Sequence, residues 1–423
     1  MTRDAAAAVA LDASDPLAGF ADQFHHPFDD AGRKSVYLCG HSLGLQPKTA
    51  AEFVQAELDD WRRLGVSGHH VARRPWIRYH EAASAPLAAL VGALDSEVVA
   101  MNSLTVNLHL MMVSFFRPDS RRNRVLIEKS AFPSDRYAIV SQLAFHGLNP
   151  VQHLIEVEPR GGERHLRTED VIRQIDQAGD RLALILLPSV QYLSGQRLEL
   201  PPLIDAARRV GATVGLDLAH GIGNTLSSLH DWNVDFAVWC SYKYLNAGPG
   251  AIGGCFVHER HARNADLGRF AGWWGHDAAL RFQMGPDFQP IAGAQGWQIS
   301  NPPVLSAAPL LASLAIFENA GMDRLRAKSI ALTDYLERLL KTLPRGLVDI
   351  VTPSAAEDRG CQLSLRLARS PAEAKRCHER LTAAGVVTDW REPDVVRMTP
   401  IPLYNSYTDV FAAVEALAQA LRE

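Results

Sequence analysis

The stretch TVGLDLAH (213–220), read with CSYKYLNAGPG (240–250) downstream, decides the fold. The first is a short apolar run that ends on an acid, Asp217. The second sets Lys243 just past another apolar run, beside a glycine-rich turn. An acid at the carboxyl end of a buried parallel strand sits where α/β sheets hold their ligands, and a lysine after a later strand reaches the same crevice.

Outward from this pair, short buried runs alternate with segments long enough for helices. The runs are Val125–Glu128, Leu182–Leu187, Thr213–Leu218 and Phe236–Cys240. That rhythm predicts a large, mostly parallel sheet with helices on both faces. A helix is expected after Pro47, carrying Phe53, Val54, Leu58 and Trp61 on one stripe, and another from Leu104 to Phe116. Past residue 305 the texture changes. Ser329–Leu343 and Thr408–Leu421 read as amphipathic helices, the latter with Val410, Phe411, Val414, Leu417 and Leu421 in line. Cys361–Leu367 and Val395–Met398 read as strands between them. The expected division is a large domain over 47–305 and a small α+β domain over 306–423, with 1–46 packing against the small one. The alanine-rich start, MTRDAAAAVALDASD, reads as a frayed terminus.

Composition narrows the function classes. The chain has 423 residues, 43 Lys+Arg against 47 Asp+Glu, a formal charge of −4 and 47% hydrophobic residues. Near-neutral charge offers no field for nucleic acid, and Arg121, Arg122 and Arg124 read as a solvated loop. No run approaches the roughly 18 apolar residues of a spanning helix, so no membrane partner is expected. Cys39, Cys240, Cys255, Cys361 and Cys377 form no CxxC pair, which points to reduced thiols and a cytoplasmic enzyme.

The chemistry-bearing residues agree on one cofactor. Pyridoxal 5′-phosphate needs a lysine for a Schiff base and a carboxylate to keep its ring nitrogen protonated, which Lys243 and Asp217 provide. Ser103 and Thr105 stand at an expected helix start, where free N–H groups attract a phosphate. Phe132, Pro133, Ser134 and Asp135 follow the strand VLIEKSA, and His220 lies three residues past Asp217. Two other patterns are decoys. Gly248-Pro-Gly250-Ala-Ile-Gly253 matches GxGxxG, but GGCFVHE after it reads as a strand where a dinucleotide site requires a helix. His258 and His261 lack the spacing of a catalytic zinc motif and read as a surface turn, so no metal is expected.

These stretches resemble kynureninase, a fold-type I pyridoxal-phosphate enzyme family, over nearly the whole length. The matching pieces are YLCGHSLGLQPK (37–48), MNSLTVNLHL (101–110), AFPSD (131–135), GLDLAHGIGN (215–224), LHDWNVDFAVWCSYKYLNAGPG (229–250), GWWGH (272–276), ISNPP (299–303), RGCQL (359–363) and PIPLYNS (400–406). The resemblance implies a transferase-like α/β fold with a sheet of the seven-stranded type, Lys243 as the Schiff-base lysine and Asp217 as partner of the ring nitrogen. It implies that Leu104, Thr105, Phe132, Pro133, Ser134, Asp135, His220 and Tyr242 hold the cofactor, and that Tyr242 donates or relays a proton. It further implies a homodimer in which Trp273 and Asn301 complete the neighbouring subunit's site, and an α-carboxylate grip at Arg397. The implied reaction is hydrolysis of L-kynurenine or 3-hydroxy-L-kynurenine to anthranilate or 3-hydroxyanthranilate and L-alanine, in tryptophan catabolism and the supply of NAD.

His41 stands where the family usually has asparagine, Arg136 where histidine often follows FPSD, and Pro188 at a Ser or Thr-like position. Family members favouring 3-hydroxykynurenine carry a histidine and a Ser-Asn pair around the substrate ring; here His69, Ser300 and Asn301 match, which implies the hydroxylated substrate. Two rivals stand beside this reading. One is a related desulfurase or selenocysteine lyase using Cys361, although RGCQLSLRL reads as a strand and such a cysteine needs a mobile loop. The other is a silent binding protein, which would have no use for Lys243, Asp217 and Arg397 together.

Overall fold

A computed structural model describes residues 3–29, 31–264 and 266–422. Its centre is a seven-stranded sheet. In spatial order the strands are Val98–Ala100, Gly254–Val257, Phe236–Trp239, Thr213–Asp217, Leu182–Pro188, Arg124–Glu128 and Leu154–Val157. All run parallel except Gly254–Val257, which is antiparallel to both neighbours. Successive residues enter different cores. Leu126, Ile185, Leu187, Val214, Leu216 and Ala237 join one apolar cluster, while Val125, Ile127, Leu184, Leu186, Phe236 and Val238 join the other. This period-2 partition buries both faces, so the runs read as continuously apolar rather than alternating. Each fully buried Val, Leu or Ile contributes about 1.5–3 kcal/mol.

The second body is a four-stranded antiparallel sheet, ordered Asp389–Arg391, Val395–Met398, Leu363–Leu367 and Val348–Ile350. Helices Met322–Leu340, Pro371–Ala383 and Tyr407–Arg422 share its core. Val36–Tyr37 adds a parallel two-stranded ladder with Val386–Val387.

Four local expectations are corrected. Helix Val304–Ala320, placed by its sequence position in the small domain, buries Ala307, Leu310, Leu314 and Phe317 in the large core and lies on helix Ala50–Leu64. The chain turns at Gly321 (φ 75°) before the small body begins. An all-apolar helix carries no mark of which core it serves, which is why the change of texture at 305 misplaced the boundary.

The frayed terminus is instead helix Arg3–Ala13, with Ala8 fully buried against the small body. Its Asp12 carboxylate accepts from the backbone N–H groups of Tyr407 (2.7 Å) and Thr408 (3.0 Å), capping the C-terminal helix. The expected stripe on helix Ala50–Leu64 also differs: Leu58 and Trp61 are exposed, whereas Glu57 and Asp60 are buried. Glu57 Oε2 accepts from Trp76 Nε1 (3.0 Å), and Asp60 accepts from the Arg73 N–H and Arg63 Nη2 (both 2.9 Å). Finally, His258 is buried, its ring stacked on His230 with centroids 5.0 Å apart.

Candidate active site

Asp217 ends strand Thr213–Asp217, and its Oδ1 accepts from the Ala219 N–H at 2.7 Å. Lys243 follows strand Phe236–Trp239 in a turn that folds back on itself. The Ala247 N–H donates to Ser241 O, and Ser241 Oγ donates to Ile252 O at 2.6 Å. Gly44 locks this turn from the N-terminal segment, its N–H donating to Tyr242 O at 2.8 Å. A Cβ there would stand 2.4 Å from Lys243 O and 2.2 Å from Asn246 Oδ1, so only glycine fits.

Asp217, His220, Tyr242 and Lys243 line one pocket with Leu104, Thr105, Phe132, Ser134 and Asp135. Pro133, the first residue of helix Pro133–Phe145, lies outside that lining. Lys243 Nζ is 5.7 Å from the centre of the Phe132 ring and 5.9 Å from that of Tyr242. Two helices, Leu104–Phe115 and Pro133–Phe145, begin at the pocket, and neither Ser103 nor Phe132 gives its helix a side-chain cap. The N–H groups of Leu104 and Thr105 in the first helix are thus available to an anion; in the second, Pro133 has no N–H and the Asp135 N–H already donates to Phe132 O (2.9 Å), which leaves that of Ser134.

The electrostatics divide the pocket's charges. Asp135 is held well above the usual carboxylate range by burial, then by the negative charge and hydrogen bond of Asp217. Asp217 is raised as well, chiefly by burial, but Lys243 and the Ala219 N–H oppose the shift. Asp135 therefore keeps the proton and Asp217 the charge. Burial, with Lys243 and Arg397 nearby, keeps His220 neutral. Burial, then Cys240, pushes the Tyr242 hydroxyl above its ordinary value, which leaves it a donor. The residues fit a polar aromatic cofactor: on the pocket's lining, Asp135 Oδ1 and His220 Nδ1 are buried without a protein partner.

Arg397 is buried beside this pocket but not on its lining. Its Nε and Nη2 hold Asp389 Oδ1 (2.8 and 2.7 Å), and Nη1 donates to the carbonyl of Tyr192 (2.7 Å), a residue that does line the pocket. His41 is neutral, fully buried and bonded to Thr399 Oγ1 at 2.7 Å. Arg136 turns away to pair with Glu156 at 2.9 Å, while Pro188 lines the pocket.

The remaining predicted residues lie elsewhere. His69 and Asn301 line a separate pocket with Glu57, Trp61, Trp76 and Trp274. Ser300 is exposed next to it, and Trp273 is 47% exposed, its Nε1 donating to Arg281 O. One chain thus brings together the Lys243 group but leaves the His69–Asn301 group apart. Besides apolar residues, two titratable lining residues went unpredicted, Glu128 and Tyr192. Glu128 had the same signal as Asp217, an acid closing a buried apolar run; Tyr192 had none.

Cys361 is buried, and burial pushes its thiol up to about 12, so it has no nucleophilic thiolate near neutrality. Glu97, His230 and His258 bring ligand atoms within 4.8 Å of one another, but those atoms are engaged: Glu97 accepts from the Leu94 and Glu259 N–H groups and from His230, and His258 Nδ1 accepts from the Arg260 N–H.

Residues 325–417 match the model of the kynureninase C-terminal domain. Over nearly full length the chain is similar to proteins named kynureninase. It is 55% identical to that of Myxococcus xanthus (98% of this chain, 96% of the relative) and 54% to that of Xanthomonas oryzae pv. oryzae (97% of each). Among solved structures it resembles the cysteine desulfurase CsdA of Escherichia coli, with a TM-score of 0.77, 18% identity and coverage of 96% and 98%. It also resembles C-DES Lys→Ala with glycine linked covalently to its pyridoxal-phosphate cofactor, at a TM-score of 0.75 and 16% identity over 91% of this chain and 96% of that one. At such identities these two speak for the fold alone.

Proposed function

The chain belongs to the kynureninase family, and we propose that its Lys243 pocket cleaves the Cβ–Cγ bond of 3-hydroxy-L-kynurenine in preference to L-kynurenine. More generally, it is a hydrolase acting on carbon–carbon bonds in ketonic substances, and it uses pyridoxal 5′-phosphate. Water enters the bond; anthranilate or its 3-hydroxy form leaves, together with L-alanine. The observation that carries this reading is the meeting of Lys243 and Asp217 in one pocket with two uncapped helix starts.

When bound, the cofactor supplies an electron sink for the bond-breaking steps. Lys243 would hold its aldehyde, Asp217 its ring nitrogen, and the N–H groups at Leu104 and Thr105 its phosphate, while Phe132 and His220 offer ring faces. Lys243 Nζ, when not bonded to the cofactor, would take the proton from the substrate α-carbon. Asp217 keeps its negative charge in place because Asp135 retains the shared proton. Tyr242, held protonated, gives its proton at the substrate's γ-carbonyl oxygen. Arg397 answers the α-carboxylate once its fork is freed from Asp389.

His69, Ser300 and Asn301 sit apart from the Lys243 pocket of their own chain, a separation expected if they serve a second subunit's site. We therefore read the working form as a homodimer with shared sites, the ring 3-hydroxyl meeting His69 and Asn301. Five free cysteines suit a reducing, cytoplasmic setting, and tryptophan catabolism feeding NAD synthesis suits the products. None of the described helices is by itself long and apolar enough to cross a membrane. The test is release of the fluorescent aromatic product from each substrate by cofactor-loaded protein; a loaded protein that releases neither overturns the reading.

A further inference from the structure

Strand Arg124–Glu128 ends two positions across the sheet from Asp217, with Leu182–Pro188 between them, and its last residue, Glu128, is buried. Glu128 belongs to two cavities at once. It lines the Lys243 pocket, and it lines a second cavity with Ser130, Gln191, Ser194 and Gln196. Gln191 is fixed between them: its Oε1 accepts from the N–H groups of Leu193 and Ser194 (both 2.7 Å), which turns its Nε2 toward Ser130 O (3.0 Å) and Glu128 Oε1 (3.4 Å). Asp135 Oδ1 stands unpartnered and buried in the same pocket.

We propose that Glu128 is a positioning residue for the Asp135–Asp217 pair: standing behind the pair and open to the second cavity, it sets the charge that the pair presents to the cofactor's ring nitrogen. This rests on the reading of the Lys243 pocket as the cofactor site.

The groups facing Glu128 can be named element by element. Asp217 comes from the central strand, Asp135 from helix Pro133–Phe145, Tyr192 from the segment after Leu182–Pro188, and Lys243 from the turn opposite. The second cavity adds Glu163, Arg164 and Arg366, of which Arg164 pairs with Asp349 and Arg366 with Asp394. Among the described residues, Lys243 is thus the only lysine or arginine lining the pocket itself. Burial raises Glu128 to about 7, Gln191 opposing and Asp217 adding to the shift, so its charge changes across neutrality. Above that point Glu128 adds a second negative charge behind the one on Asp217 and raises the proton affinity of whatever the pair holds.

The experiment is the pH titration of the visible band of the holoenzyme, in wild type and in Glu128→Gln. Wild type should show a transition near neutrality. The variant should fold and load, with its midpoint lowered so that proton affinity falls roughly three- to tenfold. A purely structural role would leave the midpoint unmoved, and an unmoved midpoint, or no transition in wild type, overturns the proposal. Should the variant fail to load, infrared difference spectra of wild-type holoenzyme replace it: a buried carboxyl band that titrates near neutrality is expected, and its absence is fatal. Wild type that takes up no pyridoxal phosphate overturns the pocket reading itself; uptake with an unmoved midpoint overturns the role of Glu128 alone.

Discussion

Asp135 and Asp217 face each other within hydrogen-bonding reach in the pocket, both more than nine-tenths buried, so that a single proton serves the two carboxyls. Both are raised above their unfolded values. The associated cost is absent below the unfolded value, grows as pH climbs toward the folded values, and is full above them. Asp135→Asn should therefore raise the melting temperature of the cofactor-free protein, more at about pH 8 than at about pH 5. Thermal unfolding at the two pH values checks this, and a pH-independent effect would count against the shared proton.

Asp217→Asn removes the charge while keeping the shape. Turnover should fall by about a hundredfold or more, as when a fixed electrostatic partner of the reaction is removed, with cofactor still bound. Steady-state kinetics and the visible spectrum separate the two effects.

How much of this was legible beforehand can be judged residue by residue. Strand Thr213–Asp217 was readable because both its faces are buried, leaving an unbroken apolar run ending on an acid. Glu128 closed a run of the same kind and was passed over, since an acid followed by Lys129 also reads as a solvated strand end. The helix at Arg3–Ala13 was invisible because its stability comes from Asp12 capping a helix nearly the whole chain away. Long-range partners of that sort leave no local pattern. The buried Glu57 and Asp60 were missed for the same reason, their donors lying on a later segment.

That remote cap gives a stability prediction. Asp12→Ala should cost about 1 kcal/mol in urea unfolding, while Asp12→Asn should recover most of the loss. Equal losses from the two would show that Asp12 acts by charge rather than as a cap.

Gly44→Ala tests the locking of the lysine turn. Its Cβ would strike backbone at Lys243, a contact that cannot be relieved by a side-chain rotation. Destabilisation of about 1–3 kcal/mol and weakened cofactor retention are expected, read by unfolding and by dialysis of the loaded protein.

A shared site makes a stoichiometric prediction. Lys243→Ala and Asn301→Ala should each be nearly inactive alone. Mixed and reassembled in equal amounts, they should recover about a quarter of wild-type activity, because half the dimers carry one intact site. No recovery would place both residues in one chain's site. With the same wild-type protein, kcat/KM for 3-hydroxykynurenine should exceed that for kynurenine at least about tenfold, as a site built for a hydroxyl requires; comparable values would remove His69 and Asn301 from that role.

The central claim is that Lys243 carries the cofactor. Borohydride reduction of the loaded protein, followed by peptide mass mapping, tests it most directly. One pyridoxyl group on the peptide containing Lys243, and none in Lys243→Ala, is the predicted result; a pyridoxyl group on any other lysine of the wild-type protein, or none at all, would contradict it.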